Sequence, residues 1–202
     1  MLDAAARRVI DPPLNALGRR LAARGISADA VTLAGLALGL VAAGLVAAGL
    51  PGPALLPLLA SRLADGLDGA VARAGRGSDF GGYLDIVADF LVYGAIPCAF
   101  VLHDPGANGA AGAFLLLSFY VNGATFLGYA VMAERHGQTT SARGVKSLYF
   151  SAGLLEGTET IAFLMLLCLW PAGFVPLAWA FGVLCFLTAV QRVWAARRVF
   201  GG

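Results

Sequence analysis

The stretch from Ala30 to Leu50 reads AVTLAGLALGLVAAGLVAAGL and contains no charged side chain in 21 residues. A helix needs roughly 20 consecutive apolar residues to cross the hydrocarbon core of a bilayer. The stretch therefore predicts a membrane-spanning helix, with Ser27 as a candidate N-cap. Glycines recur along it, and we expect them to form a stripe of close contact with another helix: Gly35, Gly39, Gly44 and Gly49.

The rest of the chain has the same apolar character. Hydrophobic residues make up 59% of the 202 residues and charged residues only 13%, whereas soluble domains carry about a quarter charged residues. Five further segments are long and apolar enough to span a membrane: Pro53–Arg73, Gly81–Leu102, Gly109–Ala133, Leu148–Trp170 and Phe174–Ala195. We predict an all-α integral membrane protein with six transmembrane helices, forming a single membrane domain over residues 1–202, without a cleaved signal peptide.

Residues 1–26 differ from this bundle, which would occupy residues 27–200. Arginines alternate with leucines in this segment, and Pro12 and Pro13 are expected to interrupt it. The pattern is typical of an amphipathic helix lying at the membrane surface. A basic tail that only sets the topology is the alternative.

The basic residues lie almost entirely on one side of the predicted spans. If the amino terminus is cytoplasmic, 13 of the 14 lysines and arginines fall in or beside cytoplasmic segments, and only Arg62 lies within a span. The positive-inside rule then places both termini in the cytoplasm, with the chain in the inner (plasma) membrane. A formal net charge of only +2 suggests no nucleic-acid partner.

Carboxylates are concentrated in the second and third predicted spans. Asp65 and Asp68 are three residues apart and Asp85 and Asp89 four apart, so each pair shares a helix face. The short connection between these spans makes them antiparallel neighbours. Counted from the cytoplasmic ends, Asp65 and Asp89 lie about 12 Å deep and the other two about 6–8 Å. Because four facing carboxylates cannot all ionise unaided, we expect two divalent cations, Mg²⁺ or Mn²⁺.

Two other interpretations of these acids stay open at this point. One is a structural network in which Arg62 and Arg73 neutralise some of the charge, and the other is the cation or proton pathway of a transporter. Neither explains Gly66 and Gly69, each of which weakens a helix by about 1 kcal/mol. Glycines beside Asp68 suit a ligand that approaches the backbone closely.

The pattern around these aspartates resembles the signature of the CDP-alcohol phosphotransferase (CDP-alcohol phosphatidyltransferase) family. That signature is D-x-x-D-G-x-x-A-R, a spacer, and then G-x-x-x-D-x-x-x-D. All eight fixed positions match, at Asp65, Asp68, Gly69, Ala72, Arg73, Gly81, Asp85 and Asp89. The spacer has seven residues where the family more often has eight, which concerns the nucleotide contacts of that loop.

The resemblance implies an enzyme that moves a phosphatidyl, or other substituted phosphoryl, group from a CDP-linked donor such as CDP-diacylglycerol to an alcohol, releasing CMP. It implies that the metal ligands are Asp65, Asp68, Asp85 and Asp89, with Asp89 also acting as general base. It implies that the nucleotide is bound by Asp65, Gly66, Asp68, Gly69, Ala72, Arg73 and Gly81. The implied partners are a lipid donor, a small alcohol acceptor and a second copy of the chain.

Four residues are candidates for the acceptor site: Arg143, Lys146, Glu156 and Arg192. The basic side chains could bind an acceptor phosphate, and Glu156 could bind a hydroxyl or an amine. Topology alone would also place basic residues at these positions. Glu159 lies at a depth similar to that of Arg62, so an Arg62–Glu159 ion pair is the structural alternative for the acid in this span.

Overall fold

The computed structural model describes residues 2–75, 77–137, 155 and 157–201. Within this part the chain is helical throughout, apart from short connections. The helices are α1 (Leu2–Ala23), α2 (Ala28–Ala47), α3 (Pro51–Ala74), α4 (Asp79–His103), α5 (Pro105–Arg135), α6 (Gly157–Leu169) and α7 (Phe174–Phe200). The prediction of an all-α membrane protein is confirmed.

Four helices of the described part are both long and apolar enough to cross a membrane, namely α2, α4, α5 and α7. Helix α3 has 24 residues, or about 36 Å at the usual rise, but its charged side chains lower its hydropathy. Helix α6 has 13 residues, and the first part of the span predicted from Leu148 lies outside the described residues. The count of six spans therefore stays a prediction.

Both ends of α2 are fixed by local hydrogen bonds to the backbone. The Ser27 side chain accepts a hydrogen bond from the Ala30 N–H at 3.2 Å, which confirms the predicted N-cap. At the other end Gly49 has φ +80°, and the Leu50 N–H donates to the Leu45 carbonyl at 2.8 Å. This Schellman arrangement needs a left-handed residue, which glycine supplies without strain. Helix α3 then begins directly at Pro51.

Helix α2 packs closely against α3 and α4 through two of the predicted glycines. A β-carbon on Gly35 would lie 3.0 Å from Ala64 Cβ, and one on Gly39 would lie 2.5 Å from Val92 Cγ2. The prediction was wrong for Gly44, which has nothing within 4 Å, because five residues turn a helix by about 140° from Gly39. At Gly49, which lies in the turn after α2, the predicted close contact is present: a β-carbon there would lie 2.8 Å from His103 Cε1 at the end of α4.

This contrast gives a matched test of helix packing. Gly39→Leu should destabilise the folded bundle by about 1–3 kcal/mol, because the added side chain overpacks the contact with Val92. Gly44→Leu adds the same side chain at an exposed position of the same helix and should leave stability nearly unchanged. Thermal unfolding in detergent measures both, and equal midpoints for the two variants would contradict the packing assignment.

Helix α1 packs against the bundle. A β-carbon on Gly18 would lie 2.7 Å from the carbonyl carbon of Ala70, so α1 rests directly on α3. The expected interruption at Pro12 and Pro13 is wrong, since both lie inside α1. Both prolines are exposed, and each lacks the N–H that would bond the carbonyl group four residues earlier.

A single apolar core joins α2 through α7. Its fully buried side chains include Leu58, Ile96, Leu115, Leu164 and Phe174, one from each of five helices. Close packing of this kind resists deformation. Because α2 packs against both α3 and α4, the core fixes these two helices through α2, which sets the relative positions of their aspartates.

Candidate active site

Three of the four predicted aspartates converge between α3 and α4. Asp65, Asp68 and Asp85 each place one carboxylate oxygen so that all three lie within 4.8 Å of one another. Asp68 is buried and the other two are half-buried. Like charges at this separation repel strongly in a low-dielectric site. An all-oxygen donor set of carboxylates fits Mg²⁺ or Mn²⁺, so the side chains present suit the expected metal.

Asp68 is oriented by a residue on α2. The Thr32 hydroxyl lies 2.7 Å from Asp68 Oδ2 and 3.1 Å from the Ala28 carbonyl oxygen. A hydroxyl has one proton to donate, and the shorter of the two contacts is the one to the Asp68 carboxylate. Thr32 therefore holds the Asp68 carboxylate in place from α2, a helix that contributes no aspartate to the cluster.

Asp89 is held differently from the other three aspartates. Its Oδ1 accepts a hydrogen bond from Arg62 Nη1 at 2.7 Å, and the same guanidinium donates from Nη2 to Ser61 Oγ at 3.0 Å. The structural alternative of an Arg62–Glu159 ion pair was therefore wrong about the partner of Arg62, which is Asp89. The depths of Arg62 and Asp89 differ by about 4–5 Å, a distance that a long arginine side chain covers.

A small cavity separates the cluster from the Arg62–Asp89 pair. Its volume is about 10 Å³, close to the space that one water molecule needs. It is lined by Thr32, Gly35, Leu36, Ser61, Arg62, Asp65, Asp68, Ala88 and Asp89. Two of the three converging aspartates, Asp65 and Asp68, thus line the same small cavity as Asp89.

The predicted nucleotide-binding glycines lie under side chains of this chain. A β-carbon on Gly66 would lie 2.9 Å from Leu14 Cδ1 of α1, and one on Gly69 would lie 3.3 Å from Arg73 Nη1. Arg73 in turn donates to Asn15 Oδ1 at 2.9 Å. Helix α1 therefore covers the region where the resemblance places the nucleotide.

The remaining nucleotide candidates flank the connection between α3 and α4. A β-carbon on Gly81 would lie 2.8 Å from Asp29 Oδ1, so the first turns of α2 and α4 approach closely. The Gly81 N–H donates to the N-cap Ser78 at 2.9 Å. Ala72 is half-buried and lies beneath the connection, 3.8 Å from a β-carbon built on Gly77.

Of the acceptor candidates, Arg143, Lys146 and Glu156 lie outside the described residues. Arg192 is 4% exposed. Its Nη1 lies 3.0 Å from the Asn122 carbonyl oxygen, 2.8 Å from Asn122 Oδ1 and 3.2 Å from Thr125 Oγ1. These contacts show Arg192 joining α7 to α5 inside the bundle.

The sequence predicted the aspartates of the site but not the residues that contact them or their neighbours. Thr32 is the only side chain with a hydrogen-bond donor in the run from Ala30 to Leu50, and that isolation was an available signal. No comparable signal in the sequence indicated that Asn15 would bind Arg73 or that Asp29 would lie beside Gly81. Both depend on how α1 and α2 dock on the bundle, which spacing along one helix does not determine.

Comparison with known proteins finds similarity in sequence and in fold. The sequence profile described as CDP-alcohol phosphatidyltransferase matches residues 26–194. The chain is 44% identical over 195 residues to "Inner membrane protein YnjF" of Escherichia coli strain K12, covering 96% of this chain and 95% of that protein. Its fold is similar to the crystal structure of Mycobacterium tuberculosis phosphatidylinositol phosphate synthase with CDP-DAG bound, with a TM-score of 0.72, 24% identity, and coverage of 91% and 93% of the two chains.

Proposed function

This chain belongs to the CDP-alcohol phosphatidyltransferase family, and on that premise we propose that it transfers a phosphatidyl group from CDP-diacylglycerol to the hydroxyl group of a small alcohol, releasing CMP. Family membership makes it a membrane transferase, and the identities of donor and acceptor are the proposal. The observation that carries it is the convergence of Asp65, Asp68 and Asp85 within 4.8 Å. A pyrophosphate brought to such a site needs its charge neutralised.

The choice of donor rests on two supports. The similar synthase of M. tuberculosis was crystallised with CDP-DAG bound, and the fold places the aspartates in helices flanked by apolar spans. A lipid donor can remain in the bilayer while its headgroup reaches these carboxylates. A soluble CDP-alcohol that reacts with diacylglycerol is the alternative donor within the family, and its lipid acceptor would suit the same placement.

Each aspartate has a proposed role. Asp65, Asp68 and Asp85 would hold Mg²⁺ or Mn²⁺, two ions if Asp89 also contributes as the resemblance implies. When bound, the metal stabilises the charge on the pyrophosphate and on the leaving CMP.

Asp89 is the proposed general base. It would take the proton of the acceptor hydroxyl as the alcohol oxygen bonds to the phosphorus of the phosphatidyl group and the bond from that phosphorus to CMP breaks. Arg73 would bind phosphate oxygens of the nucleotide, for which a guanidinium is well suited.

We extend the proposal to location and assembly. The relative in E. coli is named an inner membrane protein, and the one-sided basic residues favour cytoplasmic termini. This orientation places the aspartates in the cytoplasmic half, where soluble nucleotides are available. We also propose one membrane domain over residues 1–202 and, from the family resemblance, a homodimer.

Purified protein in lipid vesicles tests this function. With labelled CDP-diacylglycerol and a panel of acceptors (glycerol 3-phosphate, inositol phosphate and serine), we expect CMP release that requires both an acceptor and Mg²⁺ or Mn²⁺. EDTA should stop the reaction, and added metal should restore it. Absence of CMP release with every acceptor, or charge movement across the vesicle without any CDP donor, would contradict the proposal and favour a transporter.

A further inference from the structure

Arg62 lies at the centre of the site without belonging to the family signature. It sits one helical turn from Asp65 on α3, and its side chain is only 7% exposed. A charged residue at membrane depth is costly and is usually retained for function. Arg62 therefore needs an explanation that membrane topology does not provide, because the sequence places it deep within a predicted span, away from either end.

The contacts of Arg62 hold its guanidinium on three sides. Nη1 binds Asp89 at 2.7 Å, Nη2 binds Ser61 at 3.0 Å, and the Tyr93 ring centroid lies 5.5 Å from the guanidinium carbon. Nε is buried and has no hydrogen-bond partner within the described part of the chain. Leaving a donor unpaired opposes stability, so this placement is not explained by stabilisation of the fold alone.

The ion pair has a direct consequence for the aspartates. Arg62 supplies a positive charge beside the fourth carboxylate while the other three converge. It donates to Oδ1 of Asp89 at 2.7 Å, so the carboxylate is held through one oxygen while Arg62 does not engage Oδ2. Asp89 is thereby fixed next to the cavity that Asp65 and Asp68 also line.

We propose that Arg62 is a positioning residue for phosphatidyl transfer: it binds Asp89 through Oδ1 and holds Oδ2 where the acceptor hydroxyl must give up its proton. This inference rests on the proposed function, in which Asp89 is the base. A planar guanidinium can engage a carboxylate and a neighbouring hydroxyl at once, whereas the compact ammonium of lysine is a poor substitute in such a site.

The central experiment compares Arg62→Ala with wild type in the CMP-release assay. We expect kcat to fall by about 100-fold, the size of loss that misplacement of a catalytic group produces. The KM for the CDP donor should change little, because Arg62 binds the base and not the nucleotide. Guanidinium ions added to Arg62→Ala should restore part of kcat and should not restore Asp89→Asn, in which the base itself is missing.

Two further variants complete the test. Leu63→Ala is the matched control, since Leu63 is the next residue of α3 and is 57% exposed, and it should keep the wild-type rate. Arg62→Lys preserves the charge in case Arg62→Ala does not fold, and it should show a reduced kcat with an unchanged KM.

The outcomes separate the two proposals. If wild type releases CMP and either Arg62 variant turns over at the wild-type rate, the positioning role is overturned while the proposed function stands. A folded Arg62→Ala that guanidinium does not rescue also overturns it. If wild type releases no CMP with any acceptor, the proposed function itself has failed.

Discussion

Asp89→Asn is expected to lower kcat by about 10²- to 10⁴-fold, the usual contribution of a general base. Asparagine has nearly the same shape as aspartate and can still accept a hydrogen bond from Arg62 through its amide oxygen. It cannot take a proton from the acceptor hydroxyl. Binding of the CDP donor should be largely retained, because the three converging aspartates are unchanged.

The measurement is CMP release under saturating donor, together with equilibrium binding of a CDP nucleotide. Asp104→Asn is the matched control: Asp104 caps α5 through the Ala107 N–H at 2.9 Å, and asparagine caps helices equally well. This control should keep the wild-type rate. Full activity in Asp89→Asn would exclude Asp89 as the base.

Asp68→Asn is expected to cause the second large loss, at the metal site. Its carboxylate is the most buried of the cluster, at 4% exposure. A neutral amide removes one of three charges that attract the cation. Because loss of a supporting residue alone costs about 10–100-fold in metal affinity, loss of a direct ligand should exceed that, and Mn²⁺ binding and CMP release should fall together.

Thr32→Val tests how much the hydrogen bond to Asp68 contributes to metal binding while the Asp68 carboxylate itself is kept. Valine keeps the shape of threonine but removes the 2.7 Å hydrogen bond to Asp68. We expect Mn²⁺ affinity to drop by about 10–100-fold, less than in Asp68→Asn. Calorimetric titration with Mn²⁺ measures both variants. Wild-type affinity in Asp68→Asn would remove Asp68 from the metal site.

Local features of the sequence predicted much of the fold. The cap at Ser27 follows from short-range chemistry, in which a few neighbouring residues decide the conformation. The expectation that α3 and α4 pack as antiparallel neighbours was met only through side chains such as Arg62 and Asp89, because α2 packs against both helices. The convergence of Asp65 and Asp68 with Asp85 follows from the three-residue spacing of the first two on α3 and from the short connection to α4. Predictions of this kind need only helical periodicity and a short connection.

Predictions that depended on which face of a helix a residue occupies, or on how far its side chain extends, were less successful. Depth along the membrane paired Arg62 with Glu159, but depth does not say which helix face a side chain occupies. Arg62 instead reaches Asp89 on the neighbouring helix. Gly44 was assigned to a contact for the same reason, since a count of small residues ignores the turn of the helix between them.

Contacts between distant segments were the least predictable. Helix α1 lies over α3 and brings Leu14 and Asn15 to the glycines and to Arg73. Its composition indicates only an affinity for the membrane surface, which any of several docking positions would satisfy. Arg192 was likewise placed at the interface by its charge, whereas the structure shows it bound to Asn122.

The central claim is that Asp65, Asp68 and Asp85 form the metal site at which the CDP donor reacts. The most direct test is X-ray diffraction at the manganese absorption edge from crystals grown with Mn²⁺ and CMP. We predict an anomalous peak among these three carboxylates, with Mn²⁺–oxygen distances of about 2 Å. A protein whose CMP release requires Mn²⁺ but whose crystals show manganese only elsewhere would contradict the account.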